Sequence, residues 1–485
     1  MRTHRFVTSL VVAGVALGAS LSTVRAMQVP AGPRPASPPS ATALVLGQVV
    51  DADGGAPVPG AIVTLTSGDG QTPGVAPASA APKRAVTDSQ GRFVFHSLRA
   101  GLVNLSVLAP GYITATPGQR RPGGPSPPIV LADGERLGPV SVRMWKYAAI
   151  EGRVVDERGE PLVRRSVRAL RREWSGGQVR LTLGPQVSTD DRGTFRLWSL
   201  VPGDYFVVVP SAQITMPVSV AAEYQALLET QTSNFLQTDL VRRLNGSNAP
   251  SASGGGMTVG GHVLQVGRGA ATASLAAASP NGRLGVFPVV VTPALDREPI
   301  RLSSGEQRQG IEAMVRLVPA SSVSGVATGP DGSAVPYLGL RLVPTSLGAR
   351  SSSAGLEAAS TVTDAAGRFT FLGVPEGSYT LTGLYVPRAD MDPTTTVVTS
   401  GGTTSITSFA PAETAVIRPN DATLFVEAAV MVGDKDVTDV GLRVRRGLRL
   451  VGSVEFEGTT AAPAPEQLPR FSISLRSEQG IIPGL

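Results

Sequence analysis

Three histidines and no cysteine limit what this chain of 485 residues can do with a metal. His4 stands near the start, His262 lies in a Gly-rich stretch, and only His96 falls inside a patterned segment. A zinc peptidase needs several His and Glu ligands on shared elements, and neither H-x-x-E nor H-E-x-x-H occurs. No G-x-S-x-G nucleophile elbow is present either. Without cysteine there is no disulfide framework and no thiolate site. Carboxylate pairs (Asp51 and Asp53, Asp190 and Asp191, Asp434 and Asp436) offer oxygen ligands that calcium would accept. Aromatic residues suggest a different chemistry. Trp145, Tyr147, Trp174 and Trp198 could stack on the C–H faces of sugar rings, and the three tryptophans are the candidate ligand-binding residues. Trp174 follows Arg164, Arg165, Arg168, Arg171 and Arg172. An Arg-rich strand tipped with an aromatic reads either as a solvated edge that discourages strand pairing or as a site for an anionic glycan.

The elements that would position these residues are short strands. Gly (56) and Pro (40) are plentiful and charged residues make up only 16%, a mix suited to many strands joined by turns. One unit occurs three times: Thr87-Asp88-Ser89-Gln90-Gly91-Arg92-Phe93-Val94-Phe95, Thr189-Asp190-Asp191-Arg192-Gly193-Thr194-Phe195-Arg196-Leu197, and Thr363-Asp364-Ala365-Ala366-Gly367-Arg368-Phe369-Thr370-Phe371. Asp at the first corner accepts hydrogen bonds from the backbone that follows it. Gly at the last corner supplies the left-handed conformation that closes the turn. Thus Asp88, Gly91, Asp190, Gly193, Asp364 and Gly367 are turn residues, and Phe93, Phe195 and Phe369 are core residues at strand spacing. The positions that follow the core residues drift between copies, as His96, Trp198 and Leu372 do. Because Asp53 and Asp191 have no counterparts in the third copy, the aspartates read as turn formers rather than calcium ligands. No metal ligand, cofactor or catalytic residue is assigned, and the chain is not expected to be an enzyme.

An opening glycine, Gly47, Gly152 or Gly325, stands about 41–44 residues before the turn glycine of each unit, as a repeat architecture requires. A second element recurs between the copies: Ile129-Val130-Leu131 to Gly134-Glu135, Pro299-Ile300-Arg301-Leu302 to Gly305-Glu306, and Val430-Met431-Val432-Gly433-Asp434. An alternating strand follows each, and the spacing to the next opening glycine is about 18–20 residues. It reads as a hairpin that completes or bridges neighbouring sandwiches.

With these residues in place, the chain resembles the carboxypeptidase regulatory-like domain family. The resemblance rests on Gly47-Gln48-Val49-Val50-Asp51, Gly60-Ala61-Ile62-Val63, the Thr-Asp units, and Pro202-Gly203-Asp204-Tyr205. It covers roughly 47–112, 150–209 and 323–385, with a partial copy from about 448. The first copy departs at the last motif, where Ala100 and Val103 stand, and the third departs at the opening Asp, near Gly329. The resemblance implies an all-β chain of tandem, seven-stranded, Ig-like or prealbumin-like antiparallel sandwiches, related to carbohydrate-binding-like folds. It also implies non-catalytic appendages of exported or cell-surface proteins. The motifs are turn and core residues, nearly silent about ligand.

The expected organisation is a signal peptide over 1–26, a Pro/Ala-rich linker over 27–43, and a first sandwich over 44–128. A connector hairpin (129–149), a second sandwich (150–210) and an insertion (211–285) follow, the insertion holding a helical window from Val220 to Leu244 and a Gly-rich loop. Connector strands (286–322), a third sandwich (323–390), a linker with a connector hairpin (391–447) and an incomplete fourth sandwich (448–485) complete the order. Arg2, Arg5, the apolar run from Phe6 to about Leu21 and Val24-Arg25-Ala26 have the pattern of a secretory leader. The mature chain is then expected in the periplasm, at the cell surface or outside a bacterial cell, without membrane insertion. A formal charge of +6 is no nucleic-acid footprint by itself. A polysaccharide or another surface protein is the expected partner. The functional reading is a non-catalytic scaffold or interaction protein. The alternatives are a carbohydrate-binding module array and the N-terminal part of an outer-membrane receptor.

Overall fold

Apolar residues alternate along the strands and point into a small core in each repeat. In β1 (Ala43–Asp51), for example, Ala43, Val45, Val49 and Asp51 are buried on one side. The computed structural model describes residues 41–68, 82–175, 177–229, 238–247, 249–250, 256–266, 284–348, 356–386, 397–400, 403–406 and 423–447. The leader, most of the tether, Phe235, Gly254 and Gly255, and the fourth opening with Phe471 to Leu475 lie outside them.

The first module holds β1, β2 (Ile62–Gly68), β3 (Lys83–Val86), β4 (Arg92–Leu98), β5 (Gly101–Leu108), β6 (Ile129–Leu131) and β7 (Arg136–Met144). One sheet has the order β4-β1-β7 and faces a second of order β3-β2-β5-β6. The core between them includes Val63, Leu65, Phe93, Phe95, Leu105 and Met144. The expected connector hairpin is divided between the two sheets: β6 pairs antiparallel with β5, and β7 runs parallel to β1.

The second module repeats this with β8 (Ala148–Val155), β9 (Ser166–Ser175), β10 (Gln178–Ser188), β11 (Thr194–Leu200) and β12 (Gly203–Val209). The chain then leaves through β13 (Gln213–Pro217), α1 (Val218–Glu229), α2 (Asp239–Gly246), β14 (Met257–Val259), β15 (His262–Val266) and β16 (Gly285–Val286). It returns with β17 (Val290–Thr292), β18 (Ile300–Leu302) and β19 (Gln307–Met314). The sheets are β11-β8-β19 and β10-β9-β12, with β17 and β18 sharing the outer edge of β12.

The third module holds β20 (Val318–Thr328), β21 (Gly339–Pro344), the short helix α3 (Thr345–Gly348), β22 (Ala359–Val362), β23 (Arg368–Pro375) and β24 (Gly377–Tyr385). A separate hairpin follows, β25 (Val397–Ser400) with β26 (Thr403–Ile406), and then β27 (Leu424–Val432), β28 (Val437–Arg443) and β29 (Arg445–Arg446). β23 and β28 flank β20, while β22-β21-β24-β27 lie within an eight-stranded sheet. The architecture is all-β with several sandwiches and short helices. Each smaller sheet is mixed rather than antiparallel, because the last strand of every module runs parallel to its first.

The opening glycine explains that parallel strand. Gly47, Gly152 and Gly325 each lie directly opposite the first phenylalanine of the recurring unit, and the parallel pairing slips beside them. A Cβ there would collide with the ring of Phe93, Phe195 or Phe369 and with the carbonyl of Val140, Ile311 or Val440. Only a glycine lets the third strand and the ring approach together.

The corner between the sheets is built on threonine. Thr87, Thr189 and Thr363 are buried, and each Oγ1 makes two hydrogen bonds. It donates to the carbonyl of Val58 (2.7 Å), Leu162 (2.6 Å) or Val335 (2.7 Å). It accepts from the N–H of Ala61, Arg165 or Leu338 at 2.8 Å in every module. The neighbouring Asp88, Asp190 or Asp364 then accepts two backbone N–H bonds through Oδ1, at 2.7–2.9 Å. Gly91, Gly193 and Gly367 close the turn at φ values of 70°, 71° and 73°.

The segment after β12 clasps the third module. β13 pairs parallel with β22, and the Thr215 hydroxyl accepts the Leu372 N–H at 2.9 Å. Within the expected helical window the described residues hold α1 and α2, and residues 230–237 lie outside the described residues. Tyr224 and Leu227 of α1 and Leu240 of α2 pack with Met216, Val220, Val362 and Tyr337, while Leu228 faces solvent. Beside this, Leu170, Leu181, Phe206 and Val208 of the second module pack on Leu347 and Leu356 of the third.

Thr363→Val keeps the side-chain shape but strands a buried carbonyl and a buried N–H. It is expected to lower the urea unfolding free energy of the full chain by about 2–3 kcal/mol, and Thr363→Ser by less than about 1. Gly325→Ala is expected to cost about 3 kcal/mol in the same titration, because backbone must move to admit one methyl group.

Candidate functional site

A groove of about 730 Å³ runs along the sheet β11-β8-β19 and reaches Val187 and Ser188 of β10 at its edge. Its polar side chains follow from strand alternation. Ile150 and Val154 of β8 and Phe195 and Leu197 of β11 point into the core, which turns Glu151, Arg153, Thr194, Arg196 and Trp198 outward. Arg196 lies across the sheet. Its Nε pairs with Glu151 Oε1 at 3.2 Å, and its Nη2 donates to Gln307 Oε1 at 3.0 Å. Gln309 Nε2 donates to Glu151 Oε2 at 3.1 Å, so guanidinium, carboxylate and amides form one network. The pairing of β19 with β8 slips between Arg308 and Ile311, and Arg153, Asp190 and Glu312 also line the groove. The Asp190 carboxyl is held below the usual carboxylate range, first by the Thr194 hydroxyl and then by backbone N–H groups.

Trp198 is 63% exposed on β11, two residues beyond Arg196 on the same face. Trp174 is 72% exposed near the tip of the β9–β10 hairpin, and Trp145 lies partly buried between the first and second modules. The three tryptophans thus stand on separate elements. Two arginines of the Arg-rich strand are paired with carboxylates. Arg172 and Arg301 share Asp204, at 2.7 and 3.4 Å, and Arg171 pairs with Glu173 at 2.8 Å. Arg165 is buried with its guanidinium 4.6 Å from the centre of the Phe287 ring.

Three of the aspartates considered for calcium, Asp51, Asp190 and Asp436, have other partners. Asp51 Oδ1 accepts the Asp53 N–H at 3.0 Å and Asp436 Oδ1 accepts the Ser322 N–H at 2.7 Å. Among the described residues no three His, Asp or Glu side chains gather as a metal set. His96 is exposed, with its ring beside the Ser97 hydroxyl. Among the same residues no helix is long and apolar enough to cross a membrane.

A cluster that sequence reasoning missed joins the first two modules. Asp51 Oδ2 receives Lys146 Nζ at 2.8 Å and the Tyr112 hydroxyl at 2.9 Å. The Lys146 backbone N–H donates to Ser304 Oγ at 2.9 Å, so this lysine touches the first module with its side chain and the second with its main chain. Trp145 O accepts the Ile113 N–H at 2.8 Å, and the Tyr147 N–H donates to Gly111 O at 3.1 Å. Burial pushes the Asp51 carboxyl up, but Lys146, backbone N–H groups and Tyr112 outweigh it and bring the pKa down from 3.8 to about 2.

Residues 45–132 form a carboxypeptidase regulatory-like domain, the family whose pattern matches there. No curated protein matches the chain. Among solved structures, the Bacillus anthracis TIE protein aligns at 10% identity and a TM-score of 0.19, over 83% of this chain and 50% of its own. This chain thus spans half the length of that relative. A streptococcal ancillary pilin aligns at 10% identity and 0.19, over 84% of this chain and 99% of its own. A putative carbohydrate binding protein from Pseudomonas aeruginosa aligns at 19% identity and 0.16, over 26% and 89%.

The folded Asp51 carboxyl titrates below its unfolded value, so its contribution is full above the unfolded pKa and disappears as pH falls through about 2. The Lys146 ammonium is half exposed and screened, which leaves about 1–2 kcal/mol. Asp51→Asn is therefore expected to unfold more easily in urea at pH 6, and to differ little from the parent at about pH 2.

Proposed function

We propose that the chain is a non-catalytic, exported scaffold whose repeats are seven-stranded sandwiches. On this reading a module runs from its opening strand through the parallel strand that closes it. The first spans about residues 43–144. The second spans about 148–315 and is interrupted by the clasp, and the third spans about 318–444. The observation that carries the reading is that every recurring residue is committed to holding the fold. The threonines, aspartates and glycines of the three units are taken up by the same corner bonds.

The joints support the same reading. Lys146 and its neighbours hydrogen-bond to both flanking modules, and β13 with the Leu170 cluster fastens the second module to the third. Such joints set modules at fixed spacings, as a protein that projects a surface away from its anchor needs. The basic and apolar start of the sequence, ending Val24-Arg25-Ala26, supports export, and the Pro/Ala-rich stretch after it suits an extended tether.

Fractionation of a bacterial host producing the chain with a C-terminal epitope tests this placement. The expected product lies beyond the cytoplasmic membrane and begins at Met27. Unprocessed chain retained in the cytoplasm would contradict it.

A further inference from the structure

The three modules are built alike, so each provides a control for the others. On the outer face of the smaller sheet, the positions held by Glu151, Arg153, Arg196 and Trp198 in the second module are Leu46, Gln48, Val94 and His96 in the first. In the third they are Ser324, Val326, Thr370 and Leu372, and there the Leu372 backbone is engaged by Thr215 of the clasp. Only the second module combines a guanidinium, a carboxylate and amides with a flanking indole. The fold does not require that combination, because the other two modules fold without it.

We infer that the groove over β11-β8-β19 binds a neutral oligosaccharide chain, with Trp198 as the stacking platform at one end. Three features select this ligand. Arg196, Glu151, Gln307 and Gln309 hold one another in place, so their remaining donors and acceptors are pre-set for the vicinal hydroxyls of a sugar ring. The largely exposed Trp198 indole, two residues along β11 from Arg196 on the same face and just outside the residues that line the groove, offers an apolar face and a polar edge, matching the two sides of a pyranose. The charge balance disfavours anionic ligands, since Glu151, Asp190 and Glu312 outnumber Arg153 and Arg196 by one. Uronic acids, sulfated glycans and nucleic acids are repelled by such a lining. At about 730 Å³ the groove also exceeds what a single ion or small anion would occupy.

The test is a printed array of neutral, amino and acidic oligosaccharides of glucose, mannose, galactose and N-acetylglucosamine, probed with the full chain. Its strongest ligand is then titrated calorimetrically. The expected result is binding confined to neutral oligomers of several rings. Trp198→Ala should weaken it by about tenfold or more, corresponding to loss of one stacking contact. Arg196→Lys, which keeps the charge but loses the fork, should weaken it severalfold, and Trp174→Ala should leave it unchanged. Circular dichroism and thermal unfolding of each variant separate lost binding from lost fold, and both substituted tryptophans are surface residues. A blank array for the parent protein overturns the inference. So does binding to acidic oligosaccharides that is lost in Trp174→Ala and kept in Trp198→Ala, which would move the site to the Arg-rich hairpin. Either failure leaves the scaffold reading to its own fractionation test.

Discussion

A buried threonine hydroxyl with both hydrogen-bonding capacities satisfied is the constraint on which each module depends. It sits where the chain passes from the larger sheet to the smaller, a place where backbone groups leave their ladders and would otherwise be stranded away from water. Thr87, Thr189 and Thr363 each bridge a carbonyl and an N–H from the segment leading into the second strand of their module. Their own backbone groups close the same corner, as in the Thr87 N–H to Ala61 O bond of 3.0 Å. The aspartate next in line orders the turn, and its glycine carbonyl returns to the first strand at 2.8 Å in all three copies. Strand order and register follow from that corner, since it sets which residue of the fourth strand faces the opening glycine.

Much of this was legible in the sequence. The Thr-Asp units identified the turn residues and the core phenylalanines, and Phe93, Phe195 and Phe369 are buried. Local chemistry governs those features, so short motifs report them. The role of the threonine was not legible, because its partners lie 24–29 residues away. Nor was the division of the connector between two sheets. Alternation in β7 shows a strand with one buried face, but the choice of a parallel partner depends on the space that Gly47 leaves. The glycine itself was visible, and its recurrence at a fixed spacing was the available signal.

The candidate site was legible in part. Trp198 stood out because it replaces His96 and Leu372 at a drifting position, yet Arg196, Glu151 and Gln309 meet only when strands from residues 148, 194 and 307 onward are laid side by side. The Arg-rich strand shows the reverse case. Its charge is conspicuous in sequence, but Glu173 and Asp204 pair with Arg171 and Arg172, and Asp204 becomes a neighbour only through the β9–β12 pairing. The Asp51–Lys146 contact likewise joins residues far apart in sequence. The repeated interior keeps the modules alike, and their outer faces are free to differ.

Amide hydrogen exchange on the full chain tests the shared corner most directly. The N–H groups of Ala61, Arg165 and Leu338, which the threonine hydroxyls accept, are expected to exchange only with opening of their whole module, as core strands do. Slow exchange at all three corners is the result this account requires. Exchange at the rate of an open loop at any one of them, while the surrounding strands stay protected, would contradict it.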